Sequence, residues 1–182
     1  TSVTIKAATT LAVTGGNVDA QTRGGSGTAY NSAAGNSNNI AGNNTATGNV
    51  SLSLTAGTAL TIAATAAGGD VSISAVSGSA SASAFNFANG KRNSVSGANT
   101  GSASNSITIM GKSVAITTIG TGAANVNIRG TSAEADAFNR IAGGSANVLS
   151  GSNKATASSK TSITATGGDL TLTAANGTVI VS

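Results

Sequence analysis

The chain of 182 residues contains no cysteine, histidine, proline or tryptophan. Without cysteine there are no disulfides, and without cysteine and histidine the usual zinc and transition-metal ligand sets cannot be assembled. A Ser-His-Asp triad is excluded on the same ground. The missing proline carries positive information, because proline removes a ladder donor and its absence suits a continuous sheet. Aromatic residues are one tyrosine and three phenylalanines. Charged residues make up 8% of the chain, nine basic and five acidic, for a net charge of +4. Such sparse charge, without aromatic stacking partners, is unlike a dedicated nucleic-acid binder. No apolar stretch approaches the roughly 18 residues of a membrane span. No cofactor is implied.

What the chain does contain is a repeat. Pairs of apolar residues two apart open each copy: Val3/Ile5, Leu52/Leu54, Ile107/Ile109 and Ile163/Ala165. The first interval between openings is a few residues shorter than the other two. A second pair follows in each copy: Leu11/Val13, Leu60/Ile62, Val114/Ile116 and Leu170/Leu172. A third comes after a variable turn: Val18/Ala20, Val71/Ile73, Val126/Ile128 and Val179/Val181. Residues two apart share one face of a strand, so these are short strands with one apolar side. Such a unit cannot bury its face alone and must stack on its neighbours. The fold class is therefore all-β, a β-solenoid (β-helix) of stacked short strands with repeats of about 55 residues. The single solenoid divides into repeats at about 1–48, 49–104 and 105–160, with a partial copy at 161–182. The 25 glycines and an apolar share of 39%, much of it alanine, fit a thin column better than a bulky globular core. With three or four apolar pairs per repeat, roughly six to nine coils are expected, a rod on the order of 30–45 Å.

The glycine-rich turns Gly15-Gly16-Asn17 and Gly68-Gly69-Asp70 precede the third strands, with Ala123-Ala124-Asn125 in the same place. In the fourth copy Gly167-Gly168-Asp169 lies one junction earlier. The stretches 21–48, 74–104 and 129–160 follow, and each holds an Ala-(Phe/Tyr)-Asn block: Ala29-Tyr30-Asn31, Ala84-Phe85-Asn86 and Ala137-Phe138-Asn139. Ten residues after each aromatic stands a β-branched residue, Ile40, Val95 and Val148. The spacing predicts that Tyr30, Phe85, Phe138, Ile40, Val95 and Val148 point inward as a core stack, in a second, wider coil. Asn31, Asn86 and Asn139 are expected to form amide ladders between coils. Outward strand positions such as Thr4, Ser51, Ser53, Thr108 and Thr171 should align as hydroxyl ladders.

Few residues point to chemistry. Gly24-Gly25-Ser26-Gly27-Thr28-Ala29 has the glycines of a calcium-binding repeat but lacks its acid. Glu134 and Asp136 form the one close carboxylate pair, in a single copy, which is thin support for glycoside hydrolysis. The expectation is a protein that is not an enzyme. Candidate surface-binding residues are Phe87, the aromatic outside the repeated position, and the basic Lys91, Arg92, Arg129 and Arg140, which could meet anionic glycans.

The strand triplets, above all Thr161–Ser182 with its Gly-Gly-Asp-Leu-Thr-Leu-Thr-Ala run, resemble the repeat region of filamentous haemagglutinin-like exoproteins of bacterial two-partner secretion. Ala66–Ser74 is similar to the same region. The resemblance implies a right-handed β-helix with three strands per coil, serving as a surface adhesin or as a stalk. It covers the Ala-aromatic-Asn block poorly, since that family's repeat is nearer twenty residues. Ser113–Ile116 more distantly resembles the left-handed heads of trimeric autotransporters.

The function expected is an extracellular structural protein, a stiff segment of a bacterial surface adhesin or a self-stacking filament. Its expected partners are further copies stacked end to end or the rest of a longer exoprotein, and host or environmental glycans; nucleic acid and a membrane span are not expected. Thr1 begins inside a strand-like pattern, as in a processed product or an excised segment. The alternative is a binding module that presents a Thr/Asn face or basic loops to ice, polysaccharide or anionic glycan.

Overall fold

In a computed structural model, which describes residues 1–75 and 80–182, each repeat of the sequence makes one wide coil. The first runs through β1 (Ser2–Ala7), β2 (Leu11–Gly15), β3 (Val18–Thr22), β4 (Ser26–Ala34) and β5 (Asn39–Ile40). The second repeats this path as β6 (Asn44–Ala56), β7 (Ala59–Ala64), β8 (Val71–Ala75), β9 (Ala80–Asn89) and β10 (Ser94–Val95). The third is β11 (Asn99–Gly111), β12 (Ser113–Thr118), β13 (Val126–Gly130), β14 (Ala133–Ala142) and β15 (Val148–Leu149). A fourth begins with β16 (Asn153–Ala165), β17 (Leu170–Thr173) and β18 (Val179–Val181).

Equivalent strands pair in parallel, giving five sheets among the described residues. The long sheet is β1-β6-β11-β16, the second β2-β7-β12-β17, the third β3-β8-β13-β18, the lobe sheet β4-β9-β14 and the tip sheet β5-β10-β15. The molecule is a β-solenoid. Its axial repeat follows from the registers Ser2↔Ser51, Asn44↔Asn99 and Asn99↔Asn153, each of which joins a residue to its counterpart one copy later.

The expectation of six to nine coils is corrected by this topology. The three apolar pairs of one repeat do not stack on each other; they meet across the interior of one coil. Leu52, Leu54, Leu60, Ile62, Val71 and Ile73 belong to a single buried cluster with their counterparts from the next coil. Four strands at about 4.8 Å give roughly 14 Å from the first to the last, not a rod of about 30–45 Å. Period-two spacing identifies the buried face of a strand but not which strand lies above it.

Each coil has two parts with different side-chain sizes. The second halves of the long strands join the second and third sheets in a prism filled by Val, Ile and Leu. The first halves of the long strands face the lobe sheet, and there the inward residues are small: Ala46, Gly48, Gly101 and Ala103 against Ala80, Ala82 and Ala84. The two backbones approach so closely that a Cβ on Gly48 would collide with the carbonyl oxygens of Ser81 and Gly25. A Cβ on Gly101 would strike the carbonyl oxygen of Asp136 in the same way. The small residues that suit a thin column are concentrated in this lobe.

That thinness corrects the inward placement of the aromatics. Ala84, Asn86 and Ala88 are buried, so alternation turns Phe85 and Phe87 outward. Tyr30 is 59% and Phe138 37% exposed. A phenyl ring has no room between two sheets held apart by Ala and Gly. The rings do stack along the axis: Tyr30 on Phe85 at 5.2 Å and Phe85 on Phe138 at 4.9 Å, with interplanar angles of 9° and 5°. Ile40 and Val95 are buried as expected, in a small tip cluster with Ala88.

Two registers also differ from the sequence alignment. Val95 pairs with Leu149 rather than Val148, which aligns with Ser94. Gly143 and Gly144, both at φ 74°, take up one extra residue in that turn, a conformation that glycine reaches without steric cost. Val148 lies on the outermost strand of its sheet and is 59% exposed. In the fourth copy Ile163 lies over Ile109, and Thr161 takes the place opposite Ile107. Thr161 Oγ1 donates to the Ser182 carbonyl at 2.9 Å, which satisfies the hydroxyl there.

Candidate binding surfaces

The inner boundary of the lobe is polar. Asn31, Asn86 and Asn139 point inward from the lobe sheet and form the expected ladder, each Nδ2 donating to the next Oδ1 at 3.0 Å. A second column, Asn44, Asn99 and Asn153, faces it from the long sheet, with steps of 2.9 and 2.8 Å. Cross-links join the columns: Asn44 Nδ2 to Asn86 Oδ1 at 2.8 Å and Asn99 Nδ2 to Asn139 Oδ1 at 2.7 Å. Backbone carbonyls of Phe85 and Phe138 accept from Asn44 and Asn99 as well. Buried amides are tolerated here because they are hydrogen-bonded. This spine holds the lobe sheet in register and thereby fixes the row of rings outside it.

Third and fourth ladders sit in the turns. Asn38 and Asn93 are followed one coil on by Asn147; the Asn38 backbone N–H donates to Asn93 Oδ1 and the Asn93 N–H to Asn147 Oδ1, both at 2.8 Å. The preceding residues Ser37, Arg92 and Ala146 lie at φ 61°, 56° and 57°, one αL residue per coil. At the turns before the third strands, the Asp70 N–H donates to Asn17 Oδ1 at 3.0 Å and the Asn125 N–H to Asp70 Oδ1 at 2.6 Å.

The candidate binding residues come to rest in three places. Phe87 and Arg140 are register partners on adjacent lobe strands, both facing outward, in a row with Ser32. Lys91 and Arg92 lie in the turn between β9 and β10, where they rim a hollow of about 330 Å³ with Asn36, Ser37 and Ser145. Arg129 stands apart from both, on the outer face of the third sheet. There it lines a notch of about 360 Å³ with Gln21, Ser72, Ser74 and Asn127. Glu134 and Asp136 share the outward face of β14 opposite Ser81 and Ser83. Among the described residues no group of three or more acidic side chains is placed to hold a metal ion.

The long sheet carries a hydroxyl face. On β6 and β11, ten of twelve outward positions are Ser or Thr, the others being Asn49 and Met110. Ser51 Oγ donates to Ser2 Oγ at 2.9 Å, and Ser104 Oγ to Asn49 Oδ1 at 2.8 Å.

Sequence reasoning missed the second asparagine column and the notch around Arg129. The column was available from Asn44, Asn99 and Asn153, which recur at the interval of the repeat itself. The notch had no signal in the chain, because its five lining residues come from three strands in three different copies. Comparison of the chain with protein-family models, curated proteins and solved structures finds no match.

Proposed function

We propose that this chain is a stiff, non-enzymatic β-solenoid segment of a bacterial surface adhesin or filament, displayed outside the cell in the manner of filamentous haemagglutinin-like exoproteins. The observation that supports this reading most is the shared direction of its ladders. Sheet hydrogen bonds, two asparagine columns and the aromatic stack all run along one axis through successive coils. Stretching along that axis loads many hydrogen bonds together, which is the mechanical property a stalk requires.

The outermost coils present core side chains, with Ile5 42%, Leu170 48% and Val181 47% exposed. Further coils, from the same polypeptide or from another copy, would cover them and satisfy the open strand edges. A chain with this role is found on intact cells. An antibody raised against it should label unpermeabilised bacteria; label that appears only after permeabilisation overturns the reading. Single-molecule stretching supplies the mechanical test. Coils should release one at a time, each adding roughly 180–200 Å of contour for about 55 residues. Smooth extension at low force is the contrary result.

The hydroxyl face of the long sheet favours a second reading, a module that lies flat on ice or on a polysaccharide sheet. Thermal hysteresis in solutions of the chain tests the first of these directly.

A further inference from the structure

The outer face of the third sheet has an uneven profile. Its registers are Asp19↔Ser72↔Asn127 and Gln21↔Ser74↔Arg129, so the middle strand offers only hydroxymethyl groups while both neighbours carry longer polar chains. The result is a trough with a serine floor and two polar walls. The walls are two strand steps apart, about 9–10 Å from backbone to backbone, which leaves a cleft for one sugar ring set edge-on between the side chains.

One wall is held in place before any ligand arrives. Gln21 Nε2 donates to Asp19 Oδ2 at 2.6 Å, and Arg23 donates to Gln21 Oε1 through Nη2 at 2.9 Å and Nε at 3.3 Å. The facing wall ends in Arg129, whose side chain is exposed and makes no ion pair or hydrogen bond with the described residues. A guanidinium is a planar double donor matched to a carboxylate. Asp19 lies on the same face beyond the lining of the trough, tied to Gln21 on a wall whose charge Arg23 balances, so the one carboxylate of a hydroxyl-rich ligand is drawn to the Arg129 end.

We propose that this trough is a subsite for one carboxylate-bearing sugar unit of an acidic polysaccharide. Arg129 takes the carboxylate, and Ser72, Ser74 and Asn127 bond to ring hydroxyls. No aromatic side chain lines the trough, so a single unit binds on the order of millimolar, and useful avidity comes from many sites along one glycan. The site goes beyond the scaffold role and does not depend on it, since a cytoplasmic or non-load-bearing protein could carry the same trough.

The test is an amide-resolved NMR titration of the whole chain with a galacturonic acid trisaccharide, with maltotriose as the neutral counterpart and with acetate alone. The acidic trisaccharide should shift Ser72, Ser74 and Asn127, while maltotriose and acetate at equal concentration should not. Arg129→Gln should weaken binding by about tenfold or more, the loss expected for one charge-assisted bidentate pair. Ser72→Gln should do the same by filling the floor, and thermal melts of both variants should match the parent. Binding that maltotriose or acetate reproduces, shifts that map to another face, an unaffected Arg129→Gln, or no binding at roughly 20 mM, the weak end of the expected range, would each overturn the proposal.

Discussion

Asn44 donates through Nδ2 to Asn99 Oδ1 at 2.9 Å, joining two side chains a full repeat apart in the sequence and one coil apart in space. Asn99 is fully buried and passes the chain on to Asn153 at 2.8 Å, while also donating to the Phe138 carbonyl at 3.0 Å. The lobe has no apolar core of any size at this level, so these amides carry the register that Val, Ile and Leu carry in the prism.

Replacing Asn99 by alanine should therefore cost more than a single surface hydrogen bond. The change removes the bonds that Asn99 makes to Asn44, Asn139, Asn153 and the Phe138 carbonyl, and stability should fall by about 2–4 kcal/mol. Denaturant unfolding measures it. A loss under roughly 0.5 kcal/mol, the range of ordinary surface substitutions, would show that water replaces the amide and that the lobe is open there.

Close approach in the lobe gives a sharp pair of glycine variants. Gly48→Ala places a methyl group against the carbonyl oxygens of Ser81 and Gly25 and should destabilise by about 1–3 kcal/mol or more. Gly167→Ala meets nothing within 4 Å and should be close to neutral. Thermal melts of the two variants side by side decide whether the sheets approach as closely as described.

The aromatic row is an outer feature, and its energetics should say so. Phe85→Ala removes two ring contacts and should cost about 1–3 kcal/mol, from two stacking pairs of roughly 0.5–1.5 kcal/mol each. A fully buried phenylalanine would cost about 3–5 kcal/mol. A measured loss in that upper range would return the rings to the core.

Asp70 occupies a ladder position filled by Asn17 and Asn125 in the neighbouring coils. Asp70→Asn keeps an acceptor for the Asn125 N–H and should change stability by less than about 0.5 kcal/mol. Asp70→Ala removes that acceptor and should cost about 1 kcal/mol. Equal losses from both would mean that the charge, and not the ladder geometry, holds this turn.

Much of the fold is legible in the apolar pairs. Leu11 over Leu60 over Val114 over Leu170 is the register that the spacing predicts, and Val18 over Val71 over Val126 over Val179 is another. The size of the coil is not legible, because a strand shows its buried face by alternation while its axial neighbour is chosen by three-dimensional closure. Hydrophobicity alone places Tyr30, Phe85 and Phe138 inward. The decisive clue is the alanine, serine and asparagine around them: inward alanines two apart, at 80, 82 and 84, leave odd-numbered Phe85 on the other face. Spacing sets Val148 one position away from its true register, because a glycine insertion is silent in a pattern of apolar residues. Of the surface candidates, Phe87 and Arg140 meet on neighbouring strands, where register and not sequence proximity brings them together.

The central claim is that one sequence repeat makes one wide coil. Methyl-labelled NMR tests it directly through contacts among Leu52, Ile107, Val71 and Val126. Contacts are predicted between Leu52 and Ile107 and between Val71 and Val126, each pair one repeat apart, with Leu52 also close to residues of its own coil across the prism. Contacts in parallel register between residues roughly twenty apart, such as Leu52 directly over Val71, would instead mean a narrow coil of the short-repeat kind, and would contradict the account.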